Sequence, residues 1–181
     1  EDGRELARHL KEKPPAVVYL VTSGDSGQPR AQRRNETPPA ADPYDLQKAT
    51  RVIETSLLAG GDPALDHVRV DYLDGDHKGG GIHQLIASEA RTMSLFGGRR
   101  VVTIIHADKL AYGAKKVTKK GQGDALEKLI DELPESGPAP FTLIIVAQRF
   151  DRRQRAFKQM AAKGAIVAVA PLGPNKLQKY L

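Results

Sequence analysis

The chain contains no cysteine and no tryptophan, and only four phenylalanines and two methionines among 181 residues. Zero cysteine excludes a disulfide-stapled scaffold, a thiolate metal site and a cysteine nucleophile. No apolar run approaches the roughly 18 residues needed to span a bilayer, and the longest are of strand length. The start of the chain lacks a basic segment followed by an apolar one, so it does not read as a secretory signal. A reducing, cytoplasmic setting and a soluble domain with no membrane partner are therefore expected. Numbering opens on Glu1 rather than Met, which suggests a processed or trimmed piece.

What is present is an ordinary globular composition, 40% hydrophobic and 28% charged, of a length that suits one domain. The net charge of +6 is placed unevenly. Residues 1–110 hold 15 basic and 16 acidic side chains, whereas residues 111–181 hold 13 and 6. A solvated charged face is the ordinary reading of such an excess. Attraction to nucleic acid or to an acidic protein is the functional one.

Five short runs are apolar and rich in β-branched residues: 16–21 (AVVYLV), 68–72 (VRVDY), 101–105 (VVTII), 141–147 (FTLIIVA) and 165–170 (AIVAVA). Most are continuous rather than alternating, the pattern of strands covered on both faces. Segments of helical spacing separate them. Leu46, Ala49, Val52, Ile53 and Leu57 share one face, opened by Asp42 as N-cap and Pro43 in the first turn, with Gly60 expected at the C′ position. A second stripe is Ile82, Leu85, Ile86, Ala90 and Met93. Leu126, Leu129, Ile130 and Leu133 form a third, ended by Pro134, and Phe157, Met160 and Ala161 a fourth. This alternation predicts an α/β fold with an open, mostly parallel sheet flanked by helices. Residues 24–41 (GDSGQPRAQRRNETPPAA) are polar and too long for a usual strand-to-helix loop.

Parallel sheets bind nucleotides at the loops after their strands, so nucleotide chemistry would stand in those loops. The first reads TSGDSGQPR, with Gln28 and Pro29 where a P-loop requires Lys and then Ser or Thr. After the third strand stand His106, Ala107, Asp108 and Lys109 in place of an acidic pair, and Asp108 reads best as a helix N-cap. The five histidines show no metal-binding spacing, and His83 reads as a surface residue. Asp71, Asp74 and Asp76 resemble a calcium loop only superficially, because the late bidentate Glu is missing. No metal, no cofactor and no catalytic residues are expected. An autonomous enzyme is disfavoured.

Residues 70–105 (VDYLDGDHKGGGIHQLIASEARTMSLFGGRRVVTII) are the most specific stretch: a strand ending in an Asp-rich turn, a helix, then SLFGGRR leading into a strand. This resembles the delta subunit of the bacterial DNA polymerase III clamp loader. VYLVTSG at 18–24 looks like that family's first strand, IIHADKL at 104–110 its third, and IIVAQRFDRRQR at 144–155 its fourth with the basic segment behind it. AVAPLGPNKLQKYL at 168–181 is similar to the passage into its lid domain. The polar insert at 24–41 and the GGG at 79–81 depart from the family pattern.

The resemblance implies a three-layer AAA+-type fold with strand order 5-1-4-3-2 and a degenerate nucleotide site. Residues 1–170 would be the AAA+-like domain and residues 171–181 the start of the lid, the rest of the lid and the collar being absent. It implies a non-catalytic accessory subunit of the DNA polymerase III holoenzyme, a DNA-directed nucleotidyltransferase, that binds and opens the sliding clamp for DNA replication. Met93, Leu95 and Phe96 match the family's clamp-binding wedge. Other clamp-loader subunits would be partners through regions missing here, with primer-template DNA as a further one.

Alternatives stay open. A Leu-Phe pair before a buried strand ordinarily belongs to the core, although Gly97 and Gly98 allow the chain to reverse and leave the preceding side chains outward. A receiver-like fold is the nearest rival, disfavoured by TSGD after the first strand and Ala170-Pro171-Leu172 after the last. A divergent P-loop or nucleotide-binding enzyme is one functional rival. A basic nucleic-acid-binding module is another, with Lys115, Lys116, Lys119, Lys120, Arg149, Arg152, Arg153 and Arg155 as candidate contacts and no aromatic platform among them.

Overall fold

The computed structural model describes residues 3–23, 41–72, 81–92, 94, 97–108, 130, 131, 133, 141–150 and 155–169. Five strands, β1 (Val18–Ser23), β2 (His67–Asp71), β3 (Arg100–Ile105), β4 (Phe141–Ala147) and β5 (Ala165–Val169), form one sheet in the order β2-β3-β4-β1-β5. Every pairing is parallel. This is the 5-1-4-3-2 order that the resemblance implied. It excludes a receiver-like arrangement, in which the first strand would not be flanked by the fourth and fifth.

The helices are α1 (Gly3–Glu12), α2 (Pro43–Leu57), α3 (Pro63–Asp66), α4 (Gly81–Arg91) and α5 (Arg155–Lys163). Successive strand side chains point to opposite faces, so each continuous apolar run feeds two cores. On one face Val18, Leu20, Val102, Ile104, Leu143 and Ile145 pack with Ile86 of α4, Ala156 and Met160 of α5, and Ile130 and Leu133. On the other, Tyr19, Val21, Val101, Ile144, Val146 and Val167 pack with Leu6 and Leu10 of α1 and Leu46, Ile53 and Leu57 of α2. The result is three layers.

The ends of α2 show how local sequence sets a helix. Asp42 Oδ1 accepts a hydrogen bond from Tyr44 N at 2.8 Å and Pro43 opens the first turn, a capping arrangement worth about 1 kcal/mol. At the other end Leu58 is the C-cap, so Gly60 lies one residue beyond the expected C′ position. Its φ of +99° instead serves a turn closed by Gly61 N donating to Leu58 O at 3.0 Å. In α5 the buried face is Ala156 and Met160, with Phe157 partly buried; Ala161 is exposed, contrary to the apolar stripe expected.

Two helices were not anticipated. Leu6 and Leu10 carry α1 by one i,i+4 pair, too short a pattern to stand out among charged neighbours. α3 repeats the Asp-Pro start of α2: Asp62 Oδ1 accepts from Ala64 N at 2.8 Å and Pro63 follows. That repeat was a readable signal.

Candidate functional site

At the C-terminal edge of the sheet, where parallel-sheet proteins bind nucleotides, the polar groups brace one another. Ser23 Oγ, ending β1, accepts from Ala41 N at 2.8 Å and so ties the two ends of the 24–40 segment. Gln28 and Pro29 lie outside the described residues. Asp108 Oδ1 accepts from Arg149 N at 3.0 Å, joining the loops after β3 and β4; the N–H groups that a helix cap at Asp108 would bind lie outside the described residues. His106 takes a φ of 55°, unusual for a residue with a Cβ, and its Nδ1 lies 2.8 Å from Asp71 Oδ1. A cleft of about 370 Å³ opens beside them, between the first turns of α2 and the ends of β3 and β4, with Leu46, Ile105 and Val146 in its wall. Among the described residues no three His, Cys, Asp or Glu side chains gather to hold a metal ion. Asp74 and Asp76 lie outside them, as does the side chain of His83.

Beneath α2 sits a buried polar network that sequence reading missed. Glu54, 7% exposed, accepts from Thr103 Oγ1 at 2.8 Å and lies 3.3 Å from His67 Nε2 and 3.8 Å from an Arg69 guanidinium nitrogen. His67 Nε2 also contacts Thr103 Oγ1 at 3.0 Å. Burial alone would push the Glu54 carboxyl up, but hydrogen bonds from His67 and Thr103 and the nearby charges of His67 and Arg69 outweigh it and hold the pKa below the usual carboxylate range. Glu54 stands one residue after Ile53 in the helical stripe, so an inward position for it was readable from the sequence.

The opposite edge of the sheet holds a second braced feature. α4 ends at Arg91, and β3 begins at Arg100, beside α3 and the start of β2. Arg100 Nε donates to Glu89 Oε2 at 2.6 Å, a second guanidinium nitrogen pairs with the same oxygen, and the third donates to Leu65 O. One side chain thus ties the last turn of α4 to α3 and to the start of β3. Between these anchors, Ser94 O accepts from Gly97 N at 3.4 Å and Ser94 Oγ accepts from Gly98 N at 3.0 Å. Gly97 has a φ of +73° and is exposed. Gly98 packs so closely on Gly61 and Asp66 that an added Cβ would lie 3.0 Å from Asp66 Oδ2 and 3.1 Å from Gly61 Cα. Met93, Leu95 and Phe96 lie outside the described residues; in sequence they fall among these anchors.

Of the basic candidates, Arg149 is exposed and Arg155 lies 3.8 Å from Asp131 in an exposed pair. Lys115, Lys116, Lys119, Lys120, Arg152 and Arg153 lie outside the described residues.

The family model for the DNA polymerase III delta subunit matches residues 42–170, which include both sheet edges and α4. The chain belongs to the DNA polymerase III delta-subunit family. Its fold is similar to that of a solved structure, the Bacillus subtilis DNA clamp loader delta protein, with a TM-score of 0.64 and 17% identity over 98% of this chain and 45% of that one. The chain thus spans a little under half the length of that delta protein. Among curated proteins no match was found. Membership in a family of clamp-loader accessory subunits fits the loop chemistry after β1 and β3, where the usual phosphate- and metal-binding residue types are replaced. Among the described residues no helix is long and apolar enough to cross a membrane.

Proposed function

We propose that this delta-family chain is a non-catalytic clamp-loader subunit that binds and opens the sliding clamp during DNA replication, through Met93, Leu95 and Phe96 at the end of α4. The observation that carries this reading is the family match across residues 42–170, which takes in SLFGGRR at 94–100. It is supported by the anchors on either side of Leu95 and Phe96, because a fixed base lets an apolar pair enter a pocket at low ordering cost. Residues 1–170 form the AAA+-like module and residues 171–181 begin the lid. Other clamp-loader subunits are partners of the whole protein, which works in the cytoplasm. The basic side chains of the C-terminal third, Lys115 to Lys120 and Arg149 to Arg155, add salt-dependent contact with primer-template DNA.

A titration of the chain against a purified sliding clamp tests the reading. Phe96→Ala is expected to weaken binding by about 2 kcal/mol, as loss of a buried aromatic anchor does, with little change in thermal stability. A melting loss equivalent to about 3–5 kcal/mol with unaltered clamp affinity would place Phe96 in the core instead and sink the proposal.

The rival reading as a nucleotide-binding enzyme is separated by calorimetry with ATP and magnesium. No binding is expected, because Gln28 and Pro29 stand where the phosphate-binding Lys and the magnesium-binding hydroxyl are required. Micromolar affinity or turnover would reverse that conclusion.

A further inference from the structure

We infer that the Glu89–Arg100 pair is a positioning device for the clamp-binding segment, fixing the end of α4 and the start of β3 between which Met93, Leu95 and Phe96 fall in sequence; this rests on the reading of Leu95 and Phe96 given above. The pair is mostly buried, with side chains 16% and 14% exposed. Both partners belong to the two elements that bound the segment: Glu89 is in the last full turn of α4, and Arg100 is the first residue of β3.

A simple surface ion pair would contribute little and direct nothing. Arg100 does more, because its guanidinium fork is shared between a carboxylate on one element and the Leu65 backbone carbonyl on another. That third attachment runs to α3. α3 carries Asp66, whose Oδ2 accepts from Asp62 N at 3.1 Å and whose carboxylate is also the floor under Gly98. The α4 end of the segment and its β3 end are therefore fastened to one short element. Inside the span, Ser94 receives the N–H groups of both Gly97 and Gly98.

Releasing the brace leaves both cores intact, since neither Glu89 nor Arg100 belongs to them, and an Arg100 side-chain change leaves the backbone pairing of β3 with β4 in place. It frees the end of α4 to sample other directions. The apparent affinity of a site then falls by the fraction of time that it spends in the competent arrangement.

The test is a set of clamp titrations in the full chain with Arg100→Ala, Glu89→Ala, the double variant, Glu89→Gln and Phe96→Ala. Each is run at a temperature where circular dichroism shows the variant fully folded. Arg100→Ala and Glu89→Ala are each expected to weaken clamp binding about tenfold, and the double variant no more than either alone, because both remove one shared brace. Glu89→Gln keeps an acceptor for Arg100 and should recover to within about threefold of the unaltered chain, a rescue that follows the hydrogen bond rather than the charge.

If Phe96→Ala weakens binding while both brace variants stay within about twofold, the positioning role is overturned and the clamp-binding reading survives. If the unaltered chain does not bind, or Phe96→Ala binds as it does, both fall. Losses that merely follow each variant's folded fraction also overturn the inference.

Discussion

Gly164→Ala is expected to destabilise the fold by about 3 kcal/mol or more, at or beyond the upper end of the usual cost of overpacking. Gly164 joins α5 to β5, its N–H donating to Met160 O at 2.9 Å to finish the helix. A Cβ at this position would overlap the carbonyl oxygen and Cγ1 of Val18 and lie 2.9 Å from the Val18 carbonyl carbon. The obstruction is the backbone of β1, which cannot swing aside as a flexible side chain can. β1 is the strand between β4 and β5, held by register pairs such as Val18↔Leu143 and Tyr19↔Ala165. Making room for one methyl group therefore means shifting a ladder at the centre of the sheet. Urea unfolding should show a lower midpoint at unchanged slope, and thermal unfolding a drop of roughly 6–12 °C for a chain of this size. A loss below about 1 kcal/mol would contradict the close approach of β1 to this turn.

Glu54→Ala should cost about 3 kcal/mol, because it removes the carboxylate that organises a buried cluster and strands its partners. Thr103 is fully buried and, among the described residues, its hydroxyl would keep only His67 as a partner, and the volume vacated beneath α2 would add a cavity cost.

The same residue sets a pH dependence. The folded state holds the Glu54 pKa below its ordinary value, so in acid the unfolded chain binds the proton more readily than the folded one. Its contribution is complete above the ordinary carboxylate pKa of about 4.3 and disappears as pH falls through the depressed folded value. Stability measured from pH 6 downward should fall less steeply in Glu54→Gln than in the unaltered chain. Equal acid slopes would show that Glu54 does not hold its proton off in the folded state.

Much of this architecture was legible because its signals are local. Continuous β-branched runs mark strands buried on both faces, and Phe141–Ala147 carries this so strongly that the expected and observed bounds coincide. Asp42 and Pro43 announce the start of α2 through an N–H group that only a short acceptor side chain can reach. The same logic at Asp62 and Pro63 passed unread, because a four-residue helix leaves no apolar period to confirm it. Ala161 was placed inward from a short stripe, whereas the burial of Ala156 moves the inner face of α5 back by one turn.

The sites divide in the same way. The first loop lacks Lys and Ser or Thr in the order that grips phosphate, and residue types alone establish that. SLFGGRR pointed to the delta family as a run of neighbours, and the family match over 42–170 agrees. What sequence could not show is which distant side chains share a place. Glu54 meets Thr103 across 49 positions, and Arg100 reaches Leu65 across 35. Such pairings depend on parallel crossovers that return each strand beside one formed far earlier in the chain.

The sequence by itself determined the alternation of strands and helices, the replacement of a P-loop's Lys and Ser or Thr by Gln28 and Pro29, and the family, since each rests on residue types and short spacings. Only the tertiary structure decided that Glu54 meets Thr103 and His67, that Gly164 lies against the backbone of Val18, and that Arg100 binds α4 to α3. These depend on distances between segments that the chain brings together only once the sheet has closed its register.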